Sequence, residues 1–234
     1  MNATFTRLIL AVAIVALAAS SSSAVFITGN LVTDPSLESN PLIPIVQILG
    51  PPYTTGAWGA ENGANVGAEN GILPAAGARM HRMNDDGLIA TQSFQLIDVS
   101  AYATDINAGN ATVNANLLYN VPQDIPAAVA ALYVNYYDAA HAGLPPITTG
   151  IGATLDSSPN TWQNLSVTNI VPANTKFLLL QGAFSNATMI NAAGAHRPGY
   201  IDGARLTLTI IPEPTTLALG AIAIAGTIWL CKRR

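Results

Sequence analysis

Apolar and polar residues alternate in short runs through the middle of this chain. In "RLTLTI", Leu206, Leu208 and Ile210 alternate with Arg205, Thr207 and Thr209, which is the period of a strand with one buried face. Runs of this kind, alternating or β-branched and bounded by Gly, Pro, Asn and Asp, recur from Val25 to Ile211. They are "AVFITGNLV" near the start, "ARMHRM" from Ala78, "LIATQSFQLIDV" from Leu88, "ATVNANLLYNV" from Ala111, "AALYVNYYDA" from Ala130, "QNLSVTNIV" from Gln163, "TKFLLLQGAF" from Thr175 and "YIDGARLTLTII" from Tyr200. Helical periodicity is hard to find among them. Eight such strands predict an all-β domain, a single β-sandwich over residues 25–211. "FLLLQ", from Phe177, is apolar on both faces and is expected at the centre of a sheet.

Two longer apolar segments flank this region. Leu8 to Ala19 follows a single basic residue, Arg7, and precedes "SSSSA", which predicts a secretory signal peptide over residues 1–24, cut by signal peptidase after Ala24. Thr215 to Cys231 is the second; as a helix it extends about 25 Å against a hydrocarbon core of about 30 Å, a short transmembrane span. Lys232, Arg233 and Arg234 follow it as a basic stop. Basic flanks stay cytoplasmic, so the two ends together predict export of everything between them.

Charge and cysteine usage agree with that topology. Only 9% of residues are charged, far below roughly a quarter in an ordinary soluble domain. From Val25 to Ile211 five Lys and Arg face twelve Asp and Glu, a balance that argues against nucleic acid or anionic lipid as partners and is compatible with divalent cations. The one cysteine, Cys231, lies at the cytoplasmic edge of the second apolar segment. The exported part therefore has neither a disulfide nor a thiolate metal site.

The ending combines Pro212, Glu213 and Pro214, then the apolar helix, then the basic cluster. Two prolines around a glutamate hold the backbone extended, the helix fixes its height above the bilayer, and the basic end fixes its direction. This tripartite tail, residues 212–234, resembles the PEP-CTERM sorting signal of Gram-negative bacteria. The resemblance implies processing near Pro212–Pro214 by an exosortase, a membrane-embedded cysteine transpeptidase, and release to the cell surface or the exopolysaccharide matrix.

"NLVTDPSLES" from Asn30, "QLIDVSAYATDINAGNATVNANLLYN" from Gln95, "TWQNLSVTNIVPANTKFLLLQ" from Thr161 and "GYIDGARLTL" from Gly199 together resemble galactose-binding-like jelly rolls, the fold of many carbohydrate-binding modules. Leu37 stands where that family prefers an aromatic residue. The resemblance implies neighbouring first and last strands and a structural calcium ion between them. It carries the acidic ligands onto Glu38 and Asp202, and oxygen ligands suit that cation.

Other motifs point to less. "GAENG" occurs twice, at Gly59 and Gly67, bringing Glu61 and Glu69 into what reads as a flexible surface loop. "HRMNDD" from His81 ends in a turn signal, Asn84 to Gly87, that explains itself without chemistry. Neither an H-E-x-x-H nor a G-x-S-x-G motif is present. Sugar rings lie against flat aromatic faces, which makes Tyr53, Trp58, Tyr136 and Tyr137 candidates for sugar binding, with core packing as the competing role. Trp162 is expected in the core. In "LYVNYYDAA" alternation turns Tyr133, Asn135 and Tyr137 to one face and Val134, Tyr136 and Asp138 to the other. The expectation is an exported, non-enzymatic component of the cell envelope or matrix, with extracellular polysaccharide as a partner. A carbohydrate-binding module is the alternative and a glycan hydrolase the third reading.

Overall fold

The alternating runs form β5 (Met80–Met83), β6 (Ala90–Asp98), β7 (Ala111–Asn120), β8 (Val129–Tyr137), β10 (Gln163–Ile170), β11 (Phe177–Ser185) and β12 (Gly199–Ile210). Four further strands are short: β1 (Phe26–Ile27), β2 (Ile43–Pro44), β3 (Trp58–Ala60) and β4 (Gly63–Val66). The remaining one, β9 (Gly143–Thr154), carries Gly143, Pro145, Pro146, Gly150 and Gly152 and shows no alternation. It can be a strand because it is an edge, where a proline removes no ladder bond on the open side. The computed structural model describes residues 24–39, 43–44, 54–84 and 89–211. The signal-peptide residues before Ala24, Tyr53, Asp85 and Asp86, the Pro212–Glu213–Pro214 motif, the apolar segment after it and Lys232, Arg233 and Arg234 lie outside the described residues. Among the described residues no helix is long and apolar enough to cross a membrane.

One sheet runs β10-β7-β12-β5-β4 and the other β2-β3-β6-β11-β8-β9. The long strands pair antiparallel, and β2 runs parallel to β3. Counted from β5, the first, third, sixth and eighth strands share one sheet and the second, fourth, fifth and seventh the other. That interleaving is a jelly roll. β11 lies between β6 and β8, the central position its two apolar faces predict. The sandwich belongs to one compact unit, Ile27–Thr209; of the other, Met1–Phe26 with Ile210–Arg234, only 24–26 and 210–211 are described.

Inward-facing positions interdigitate between the sheets. Leu117 and Tyr119 on β7 and Leu206 and Leu208 on β12 are buried with Leu132, Val134 and Tyr136 on β8 and Leu178, Leu180 and Phe184 on β11. The Tyr119 ring meets Phe184 edge-on, with centroids 5.5 Å apart, and its hydroxyl donates to the carbonyl of Ala131 at 2.7 Å. Burying a tyrosine this way keeps its polar tip satisfied. Inward positions of β6 include the polar Thr91, Ser93 and Gln95 beside Ile97, and Gln95 both donates to and accepts from the Thr33 backbone at 2.8 Å. The segment predicted as a strand from Ala24 is for this reason mostly loop. Its backbone is tied down by a side chain and by bonds to Leu206 and Leu208 of β12 rather than by a long ladder.

Candidate functional site

Glu38 and Asp202 converge on one loop. Asp34 caps the turn before Glu38 by accepting the N–H groups of Glu38 and Ser39 at 3.0 and 2.8 Å, and Pro35 accepts from Ala204 of β12 at 2.8 Å. Glu38 Oε1 then accepts from Ala78 and Arg79, at 2.9 and 3.0 Å, while Asp202 Oδ2 accepts from Ala75 and Ala76, at 2.8 and 3.1 Å. Four backbone donors of residues 75–79 are thus satisfied by two acids. Asp202 is 0% exposed. Burial pushes its carboxyl up to about 6, against the pull of its backbone hydrogen bonds and with a further push from the Glu38 charge. This donor set fits a hard cation only in part. Two carboxylates are close enough to repel, but each already caps the same loop, and among the described residues no group of three His, Cys, Asp or Glu gathers for a metal.

The open face of the second sheet carries a different array. Register puts Phe94, Gln181, Tyr133 and Gly150 in one row across β6, β11, β8 and β9, and Leu179, Asn135 and Thr148 in the next. An open groove of about 430 Å³ lies on this face, floored by Ala131 and Ala183 and bordered by Tyr133, Gln92, Gln181 and Asn135; among the described residues that line it none is charged. The amides are linked. Asn135 Nδ2 donates to Gln181 Oε1 at 3.0 Å, Gln181 Nε2 to Gln92 Oε1, and Gln92 Nε2 to Glu61 Oε1 at 3.2 Å, while the Thr148 hydroxyl donates to Asn135 Oδ1. Beyond the groove on the same face Tyr137 pairs with Phe177, and His141 stacks on the Phe177 ring at 4.6 Å.

The groove on the other sheet is unlike it. Asn114, Asn116, Ser166, Thr168 and Thr209 line it without an aromatic ring. Side chains there bond one another, Thr168 Oγ1 to Asn114 Oδ1 at 3.1 Å and Asn114 Nδ2 to Thr209 Oγ1 at 3.0 Å.

The aromatic candidates divide. Tyr136 is 0% and Trp58 5% exposed, which corrects their assignment to a sugar surface. The Tyr136 hydroxyl donates to Thr149 Oγ1 at 3.2 Å inside the sandwich, and Trp58 Nε1 donates to the carbonyl of Asp34 at 3.0 Å. Tyr137 is half-buried on the open face, with its phenol pushed up by burial. Tyr53 lies outside the described residues. Tyr133 belongs beside Tyr137, and the alternation of β8 already put it there. Trp162, expected in the core, is half-buried against the cluster of Ile72, Met80 and Tyr200. The second "GAENG" is anchored rather than free, because Glu69 accepts from the Tyr200 hydroxyl at 2.8 Å and pairs with Arg82 at 3.3 Å. The first supplies residues of β3 and β4.

No protein-family model matches the chain, and no curated protein matches it. Solved structures similar to it include carbohydrate-binding modules and chains of glycoside hydrolases. One is TmCBM61 in complex with beta-1,4-galactotriose, at 12% identity and TM-score 0.48, covering 76% of this chain and 98% of that one. A second is the C-terminal family 22 module of Clostridium thermocellum Xyn10B, at 13% and 0.45, covering 68% and 87%. A third is the CBM22-2 xylan-binding domain of Paenibacillus barcinonensis Xyn10C, at 17% and 0.43, covering 64% and 90%. Likenesses this distant leave the reading of the groove to its own residues.

Proposed function

We propose that this protein is a non-enzymatic, exported module that binds a neutral polysaccharide in the groove on the open face of the second sheet. The observation that carries the reading is the belt of amides beside Tyr133. Primary amides offer both donors and acceptors to sugar hydroxyls, and a partly exposed ring offers the flat apolar surface on which a pyranose lies. Among the described residues that line the groove none is charged, which favours a neutral glycan over an anionic one.

Binding a matrix polysaccharide is also what an adhesive component of the cell envelope would do, so the two non-enzymatic readings of the sequence meet in one site. The sorting half of the proposal rests on the tail: signal peptidase removes residues 1–24, the apolar helix holds the precursor in the membrane, and an exosortase processes it near Pro212, Glu213 and Pro214. A structural calcium ion at Glu38 and Asp202 is a separate proposal, supported by the convergence of those two acids.

Affinity electrophoresis against xylan, galactan and an anionic polysaccharide tests the binding site. A neutral polysaccharide should retard the protein, and Tyr133→Ala should abolish the retardation without changing the melting temperature. Free migration in every neutral gel would remove the glycan-binding reading.

A further inference from the structure

The amide belt has a direction, and Glu61 is the residue that sets it. Glu61 sits in the turn between β3 and β4, where its N–H donates to the carbonyl of Gln92 at 3.2 Å. Its carboxylate, an acceptor only, faces Gln92 Nε2. Gln92 must therefore present its NH2 group to Glu61 and turn its carbonyl oxygen to Gln181. Gln181 meets that oxygen with its own NH2 group and turns its carbonyl to Asn135, which repeats the pattern and turns its oxygen to the Thr148 hydroxyl. Each donation runs toward Glu61, across four neighbouring strands and the turn beyond them. An isolated chain of amides could run either way at similar energy; a carboxylate at one end permits one direction. Hydrogen bonds in such a chain also polarise one another.

We infer that Glu61 is a positioning residue for the groove: it fixes which groups of Gln92, Gln181 and Asn135 point to the ligand. After its bond to the next member, each amide keeps one N–H and one carbonyl lone pair for a partner. The register steps the belt one row along at each strand, from Gln92 opposite Ala183 to Gln181 and then to Asn135 opposite Leu179, so these groups form an ordered series of donors and acceptors running diagonally across the sheet. A polysaccharide chain is itself polar, with unlike ends, and its hydroxyls meet such a series correctly in one orientation only. The ligand class is thus narrowed to a neutral chain laid diagonally across the strands in a single direction. This inference rests on the glycan-binding reading for its ligand, and on the hydrogen bonds alone for its mechanism.

Glu61→Gln keeps the size of the side chain but can offer either an NH2 group or an oxygen to Gln92, which releases the direction of the belt. Side-chain amide signals in 1H–15N spectra of the full chain and the variant read this without a ligand. Signals of Gln181 and Asn135, which do not touch Glu61 in the belt, should shift together with that of Gln92, while Asn114 on the other sheet stays in place. A shift confined to Gln92 would overturn the inference. Affinity for the polysaccharide that retards the native protein should fall about tenfold, the order of one well-placed hydrogen bond, at an unchanged melting temperature. Native affinity in Glu61→Gln would overturn the positioning role while Tyr133→Ala still upheld the binding site. If the native protein bound no polysaccharide, the binding reading alone would fall, and the amide spectra would still decide the role of Glu61.

Discussion

Asp202→Asn should convert a stability that is nearly flat between pH 4 and 6 into one that climbs with pH, because two buried groups oppose each other in that interval. His81 on β5 is 0% exposed, with Nδ1 2.9 Å from Asn65 Oδ1 and no hydrogen-bond partner at Nε2 among the described residues. Burial, and then the Arg82 charge, lower its pKa from 6.5 to about 3. Below pH 6.5 the unfolded chain takes up a proton that the native chain refuses. This contribution is therefore complete above 6.5 and lost as pH falls, about 5 kcal/mol over the window. Asp202 acts in the other sense. Its pKa rises from 3.8 to about 6, chiefly through burial, so between those values the native chain keeps a proton that the unfolded chain has released. That contribution is complete below 3.8 and lost as pH rises through 6, about 3 kcal/mol in all. Where the windows overlap the slopes, each about 1.4 kcal/mol per pH unit, cancel. Urea unfolding at pH 4, 5 and 6 reads the result. From pH 4 to 6 the native protein should change little, Asp202→Asn should gain roughly 2–3 kcal/mol and His81→Gln should lose about as much. Parallel profiles for all three proteins would refute the argument.

Calcium, if Glu38 and Asp202 hold it, requires Asp202 ionised, so millimolar calcium should make the native protein behave like Asp202→Asn in the same titration and raise its melting temperature above that in a chelator. Identical curves with and without the ion would remove it. Gly77 lies at φ +66°, and a Cβ there would fall 2.0 Å from Glu38 Oε1; Gly77→Ala should lower stability by about 1–2 kcal/mol from the backbone alone, and more from the displaced carboxylate, measured by urea unfolding. Alanine at Pro212, Glu213 and Pro214 together should leave the precursor membrane-bound and unprocessed, and normal maturation in a fractionation experiment would show the tail to be a plain anchor.

The strands that were legible in the sequence are those whose two faces see different surroundings. β7 alternates because one side packs into the sandwich, and "FLLLQ" lacks alternation because Leu179 on the outer face is buried along with Leu178 and Leu180 on the inner one. β3 and β4 were hidden in "GAENG" because three or four residues are too few to show a period. The site was legible in part. Alternation along β8 placed Tyr133, Asn135 and Tyr137 on one face, and the buried Tyr136 on the other, yet it could not say which face was open. Gln92 and Gln181 gave no signal at all. They lie 89 residues apart and meet only because β6 and β11 are neighbours in the jelly roll.

The same glycines that hid β9 shape the groove beside it. Gly150 pairs with Tyr133 and Gly152 with Ala131, so the edge of the sheet presents bare backbone where side chains would otherwise stand. A Cβ on Gly150 would fall 2.1 Å from Tyr133 Cδ1; the tyrosine ring lies over that backbone because nothing else occupies it. A Cβ on Gly152 would meet only the carbonyl of Ala130, at 3.5 Å, an ordinary contact. Two substitutions of equal size on one strand therefore separate the position of the ring from the composition of the edge. Gly150→Ala must move Tyr133 and should weaken polysaccharide binding by tenfold or more, the order of one lost ring contact. Gly152→Ala should fold and bind as the native protein does. If both bind normally in affinity electrophoresis, the ring of Tyr133 is not where the sugar rests, and the glycan surface lies further along the face, toward Tyr137 and Phe177.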